Sequence, residues 1–201
     1  MSDNASDSDK LIIGLYGEMK LAMELHKKGW QVYRAYIDEK FDFVIMKSYC
    51  TKCKSFRKAF IRNEKYEGKT KKCVTNLCEK CHQDALEMQI RLLQVKTSEG
   101  IGERNAPARK FSFHAKLRYH LADQRIFYVW ISAWDDNNIT FYIFKPEDVN
   151  KFDDLSIASY QITDNQKTTL RISEAGKVLN QGKKYDYSAF DEFKNNFQIL
   201  E

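Results

Sequence analysis

Apolar positions along the chain change their period several times, and each change predicts an element. From Leu11 to Lys28 they recur at helical spacing (Leu15, Met19, Ala22, Met23, Leu25), and Gly29 follows where a helix would end. Glu18 precedes Leu21, Ala22 and Leu25 by three, four and seven residues, so a carboxylate either shares the core-facing stripe and needs a cation or donor, or lies at its solvent edge. Trp30 to Tyr36 predicts a first strand and Phe41 to Met46 a second. On the second, Phe41, Phe43 and Ile45 point to one face and Asp42, Val44 and Met46 to the other. Asp42 thus heads a buried strand, as a turn former or as a metal ligand. Ile90 to Ser98 predicts another buried strand, with Leu93 and Val95 on one face and Gln94 and Lys96 on the other. An amide oxygen and an ammonium leaving an apolar strand side by side can hold a divalent cation and a water or phosphate.

Asp84 to Gln89 reads as a short helix leading into that strand. After it, Glu99 to Lys110 is rich in breakers and predicts a loop, and Phe111 to Ala122 predicts a helix. His114 and His120 are six apart, share no helical face and are read as structural or surface residues. Ile126 to Trp134 and Ile139 to Lys145 predict a hairpin across Asp135-Asp136-Asn137-Asn138, whose acids are turn formers. Pro146 opens a helix, Thr168 to Ser173 predicts a strand, and Tyr187 to Leu200 an amphipathic segment that packs back on the core. Strands mixed with helices predict an α/β fold: a single domain over 11–201 with an insertion at 48–88, preceded by a disordered tail at 1–10. No run reaches the roughly 18 apolar residues of a membrane span, and the first residues lack a signal-peptide pattern, so an intracellular, cytoplasmic protein is expected.

Composition sharpens this at one place. The formal charge is only +5, but the stretch Lys52–Lys72 holds nine basic residues against Glu64 and Glu67, which leaves the rest of the chain slightly acidic. Such a concentrated cationic segment attracts a phosphate backbone; the plainer alternative is a solvated lysine-rich loop. Lys54, Arg57, Lys58, Arg62, Lys71 and Lys72 are the candidate contacts, with Arg109 and Lys110 beyond the central strand. All five cysteines fall in the same region. Cys50-x-x-Cys53 and Cys78-x-x-Cys81 are two chelating half-sites 24 residues apart, suited to one tetrahedral Zn²⁺. Cys73 and His82 are spare ligands. Four protein ligands leave no position for water, so the zinc is expected to be structural and to let a short basic segment fold without its own core.

A helix bearing Glu18, a strand headed by Asp42 and a strand displaying Gln94-Val95-Lys96 together resemble the PD-(D/E)XK nuclease superfamily. The members they look most like are Holliday-junction resolvases and the restriction endonucleases with glutamine in place of the second acid. The resemblance implies a restriction-endonuclease-like mixed central sheet flanked by helices. It also implies metal-dependent hydrolysis of DNA, with Mg²⁺ or Mn²⁺ held by Asp42, Gln94, the Val95 carbonyl and Glu18, and with Lys96 orienting or deprotonating the attacking water. A homodimer follows by the same analogy. Phe41 stands where the motif has its proline, and an insert of about forty residues separates the half-motifs. Chemistry agrees, since phosphodiester hydrolysis loads charge onto oxygens that a hard, oxygen-ligated cation stabilises. Two other readings remain open: a non-catalytic DNA-binding or assembly module with a degenerate nuclease site, and a zinc-bearing protein-interaction subunit.

Overall fold

Helix α1 spans Asp7–Lys27, starting four residues ahead of Leu11, so part of the expected tail is helical. It ends as its glycine predicts. Gly29 takes a φ of +83°, its N–H reaches His26 O at 2.9 Å, and Trp30 N–H returns to Leu25 O at 3.0 Å. The computed structural model describes residues 7–35, 41–99, 110–116, 125–133, 139–149, 167–173, 177–180, 183–186 and 188–201. In chain order the strands are β1 (Gln31–Arg34), β2 (Phe43–Cys50), β3 (Ser55–Phe56), β4 (Ala59–Tyr66), β5 (Lys69–Cys78), β6 (Leu86–Glu99), β7 (Lys110–Lys116), β8 (Ile126–Ala133), β9 (Ile139–Phe144), β10 (Lys167–Ser173), β11 (Lys177–Asn180) and β12 (Lys183–Asp186). A short α2 (Pro146–Val149) follows β9.

The main sheet runs β1-β2-β6-β8-β9, with β3 added beside β2. It is mixed: β1, β2 and β6 are antiparallel to one another, β6 and β8 are parallel, and β8 and β9 form the expected antiparallel hairpin. Alternation decides what each face carries. Phe43, Ile45, Leu93, Val95, Val129, Ile131, Phe141 and Ile143 meet Leu21 and Leu25 of α1 in one core. The opposite face carries Tyr128, Trp130 and Phe144, with Phe144 ringed by Trp130 at 4.8 Å and Phe193 at 4.9 Å. The C-terminal segment is amphipathic as expected, in two 3-10 turns (Ser188–Phe193 and Phe197–Leu200), and serves both faces by crossing the β9 edge. Asn195 closes that edge: its N–H donates to Phe141 O at 2.6 Å and its Oδ1 accepts Phe141 N–H at 3.0 Å.

Three expectations are corrected. Residues 110–116 form strand β7, paired with β10, where a helix was predicted; Phe111, Phe113 and Ala115 alternate with polar positions, and this period of two prevails. His120 and Arg109 lie outside the described residues. Leu86–Gln89, expected as helix, already belongs to β6, because Leu86, Met88 and Ile90 alternate with polar residues and pair with Cys50, Ser48 and Met46. In α1 the apolar residues split between two faces. Leu21 and Leu25 are buried, whereas Leu15, Met19 and Met23, together with Leu11 and Ile12, are exposed.

The contact that selects the buried face of α1 is at Gly17. A Cβ there would lie 2.7 Å from Thr97 Cγ2 and 2.9 Å from Thr97 Cβ, and closer still to Thr97 Oγ1, whereas a Cβ at Gly14 would meet nothing within 4 Å. Gly17→Ala is therefore predicted to destabilise the fold by about 1–3 kcal/mol through overpacking. Gly14→Ala is predicted to stabilise it by about 0.5–1 kcal/mol through helix propensity alone. Urea midpoints should move in opposite directions; a Gly17→Ala midpoint at or above wild type would mean that α1 does not sit this close to β6.

Candidate functional site

Asp42 stands one step ahead of β2, and three hydrogen bonds pin it between two strands. Its N–H donates to Leu93 O at 2.8 Å, its carbonyl accepts Ala35 N–H at 3.0 Å, and its Oδ2 accepts Val95 N–H at 2.6 Å. Phe43 pairs with Leu93, so Asp42 falls opposite Gln94, and the period of two places Lys96 beyond it on the same face. The sheet thus brings Asp42, Gln94, Val95 and Lys96 together, as the sequence predicts. Gln94 is buried beside Tyr128 of β8, while Lys96, half-buried, pairs in register with Trp130. The Lys96 ammonium has no ion pair or hydrogen bond with another described residue.

Glu18 reaches this cluster from α1. Its side chain is 19% exposed and its Oε2 lies 3.0 Å from an Arg34 guanidinium nitrogen. Burial holds its carboxyl above the usual carboxylate range; Arg34 works against that shift, Asp42 adds to it, and Lys96 opposes it. Glu18 therefore feels both Asp42 and Lys96. Arg34 is the member that sequence reasoning missed. Its signal was a cation at the end of the first predicted strand, eight residues ahead of Asp42.

At the other end of β2 the four cysteines converge. The Sγ atoms of Cys50, Cys53, Cys78 and Cys81 all lie within 4.8 Å of one another, with Cys50 and Cys81 at 3.7 Å and Cys53 and Cys78 at 3.8 Å. Four thiolates about 2.3 Å from a tetrahedral Zn²⁺ stand roughly 3.8 Å apart, so the cluster has the dimensions of a zinc site. The two half-sites share one local geometry. The residue after each second cysteine, Lys54 and His82, takes a positive φ of 52° and 54°. Cys53 N–H points to Cys50 Sγ at 3.4 Å. Burial works to raise the Cys78 thiol, but N–H groups of Cys81 and Lys80 and the neighbouring thiols outweigh it and bring it down to about 6. Cys53 is pushed up to about 12 by burial and by its hydrogen bonds to the other three cysteines. One thiolate in the group thus forms readily and opposes the next, the electrostatic condition that a divalent cation relieves. Neither spare ligand belongs to the cluster. Cys73 donates to Glu64 Oε2 at 3.3 Å, and the His82 ring packs edge-on against Phe60 at 4.8 Å.

The basic candidates sit with the cysteines, not with Asp42. Lys54 follows the first half-site, while Arg57 and Lys58 lead into the β4–β5 hairpin. A cleft of about 790 Å³ opens between the hairpin root and the edge of the main sheet; it is lined by Lys28, Lys47, Arg57 and Lys58 but also by Glu79, Asp84 and Glu87, and by none of the Asp42 group. Arg62 is tied to Glu64 at 2.5 Å and Lys71 lies 5.5 Å from the Tyr66 ring centre. Lys110 opens β7, in a separate two-stranded sheet. Comparison with protein-family models, curated proteins and solved structures returns no match.

The cluster predicts one zinc per chain. Cys53→Ser or Cys78→Ser should lose it and Cys73→Ser should keep it, read as metal content and as the tetrahedral thiolate spectrum of the Co²⁺ form. Equal loss in Cys73→Ser would refute the assignment of ligands. Glu18 predicts a pH effect. Its folded-state pKa is raised, so the folded chain holds the proton more tightly than the unfolded chain, and stability falls as pH rises through the unfolded and then the folded value. Glu18→Gln should therefore gain in melting temperature over wild type near neutral pH, with the gap closing as both carboxyls protonate at about pH 4. A gap that did not change with pH would show that the Glu18 charge is not what burial penalises.

Proposed function

We propose that this chain is a divalent-cation-dependent endonuclease acting on DNA, folded on a restriction-endonuclease-like core and gripping its substrate in part through the zinc-stapled insertion. The observation that carries the reading is the meeting of Asp42, Gln94-Val95-Lys96 and Glu18 at one end of two paired strands. The order of elements supports it too: a helix, then antiparallel β1, β2 and β6, then β8 parallel to β6.

The donors suit a hard cation. Two carboxylates, the Gln94 amide and the Val95 carbonyl are all oxygen ligands, and Val95 N–H uses one of the roughly four lone-pair sites on the Asp42 carboxylate. A cation held there would stabilise the charge that develops on the phosphate oxygens. Lys96, whose ammonium has no ion-pair partner among the described residues, would orient the attacking water or take its proton. Arg34 holds the Glu18 carboxyl and moderates the repulsion between it and Asp42. The half-buried Lys96 also lowers the cost of the Glu18 charge.

A second reading is favoured by one contact. The bond from Val95 N–H to Asp42 gives that acid a structural reason to exist, as the closing rung between β2 and β6, and is compatible with a non-catalytic DNA-binding or assembly module. Asp42→Asn separates the two, because it keeps an oxygen for Val95 N–H and removes the charge. With supercoiled plasmid and a branched junction in Mg²⁺, Mn²⁺ or EDTA, the nuclease reading predicts metal-dependent cutting that falls about 100-fold or more in Asp42→Asn and in Lys96→Ala while DNA binding is kept. Cutting that survives both substitutions would sink it. No cutting by zinc-loaded wild type that still binds DNA in a salt-dependent way would establish the module instead.

A further inference from the structure

The β4–β5 hairpin is built unlike the rest of the chain. Glu67 and Gly68 join its strands with φ of +49° and +73°, a tight turn with both central residues left-handed. From Ile61 to Lys72 every residue except Glu64 is exposed, so neither face of the ribbon is covered. A lone two-stranded ribbon is marginally stable in water, and here the cysteine cluster anchors its root through Cys78. Five cations (Arg62, Lys65, Lys69, Lys71, Lys72) face two acids along its length.

The two faces differ in chemistry. On one face most groups engage each other: Arg62 pairs with Glu64 at 2.5 Å, Glu64 also accepts the Cys73 thiol at 3.3 Å, and Lys71 lies 5.5 Å from the Tyr66 ring centre, which leaves Lys69 as the cation there without such a contact among the described residues. The other face follows from the register, which pairs Ile61 with Val74, Asn63 with Lys72 and Lys65 with Thr70. Ile61 and Val74 are 53% and 75% exposed, and neither Lys65 nor Lys72 has an ion-pair partner among the described residues. An amide, two ammonium groups and an apolar pair are the groups that read adenine, guanine with phosphate, and the thymine methyl. A ribbon with strands about 4.8 Å apart fits a B-form major groove roughly 12 Å wide, whereas the deep, narrow A-form groove excludes it.

Its root also lies far from Asp42. Cys50 is at the opposite end of β2, eight residues on, or about 26 Å at ~3.3 Å per residue. That span matches about 8 base pairs of duplex at ~3.4 Å each.

We propose that the β4–β5 ribbon lies in the major groove of duplex DNA with Asn63, Lys65 and Lys72 turned to it, to one side of the duplex segment held at the Asp42–Lys96 site. This rests on reading the chain as one that acts on DNA, and it names the groove and the face. The opposite face, with Arg62, Glu64, Tyr66, Lys69 and Lys71, points to solvent, which takes Arg62 and Lys71 off the set of contacts expected from the sequence.

The test uses the full zinc-loaded chain on a 30-base-pair duplex in Ca²⁺, scored by hydroxyl-radical footprinting and by interference from methylation of guanine N7. Wild type should give two separate protected patches, with N7 interference in the outlying one. Asn63→Ala/Lys72→Ala should lose that patch alone and bind about 10-fold more weakly with a salt slope lower by about 1, while keeping its zinc. Arg62→Ala/Glu64→Ala should footprint as wild type, and duplex RNA should compete poorly. A single patch, absent N7 interference, or an outlying patch unchanged in the first variant would overturn the proposal. Plasmid cutting is scored separately. Both patches without cutting would uphold the ribbon while removing the nuclease reading, and no salt-dependent DNA binding would remove both.

Discussion

The antiparallel ladder between β2 and β6 is the contact on which the rest of this structure depends. It runs from Phe43 opposite Leu93 to Cys50 opposite Leu86 and joins two unrelated chemistries at its ends. Beyond one end, Asp42 extends the pairing by a side-chain bond to Val95 N–H; at the other, Cys50 enters the cysteine cluster. A slip of β6 by one residue would turn Leu93 and Val95 out of the core and move Gln94 and Lys96 into it. The same register that buries the core therefore aligns the candidate site.

The insertion between these strands shows how a segment with few apolar residues can be ordered. Residues 51–85 hold Phe56, Phe60, Ile61, Val74 and Leu77 as their larger aliphatic and phenyl groups, too few for a core of their own. Two half-sites with matching left-handed residues hold the root instead, and Phe56 ties it to the main body through Trp30 at 5.5 Å and Tyr49 at 5.4 Å. With its root held in this way, the hairpin can leave both faces to solvent.

Electrostatics at the Asp42 end follows from a compact set of groups. Two acids, Lys96 and Arg34 approach from a helix and three strands, and burial of Glu18 is the largest single influence on its proton. Such a cluster is less costly to hold together than two acids alone, because Arg34 and Lys96 both favour the Glu18 carboxylate. The outer side of α1, with Leu11, Ile12, Leu15, Met19 and Met23 exposed, is apolar for a reason that the buried face does not supply.

Local pattern by itself determined much of this protein. Alternation identified β2, β6, β8 and β9 and the faces of Asp42, Gln94 and Lys96, and the cysteine spacing identified the four members of the cluster. These are properties of a few consecutive residues, which share a face by strand or turn geometry wherever the chain goes. Tertiary structure decided the rest. Both sides of α1 are apolar, so periodicity could not say which is buried; the close approach of Gly17 to Thr97 does. Cys73 and His82 stood as spare ligands in the sequence, and only the fold shows Glu64 and Phe60 engaging them instead. Arg34 meets Glu18, and the cysteine cluster stands a strand's length from Asp42, only because β2 turns back along β1 and β6 returns along β2. Where distant residues meet is set by how the chain folds back on itself, and no local period records that.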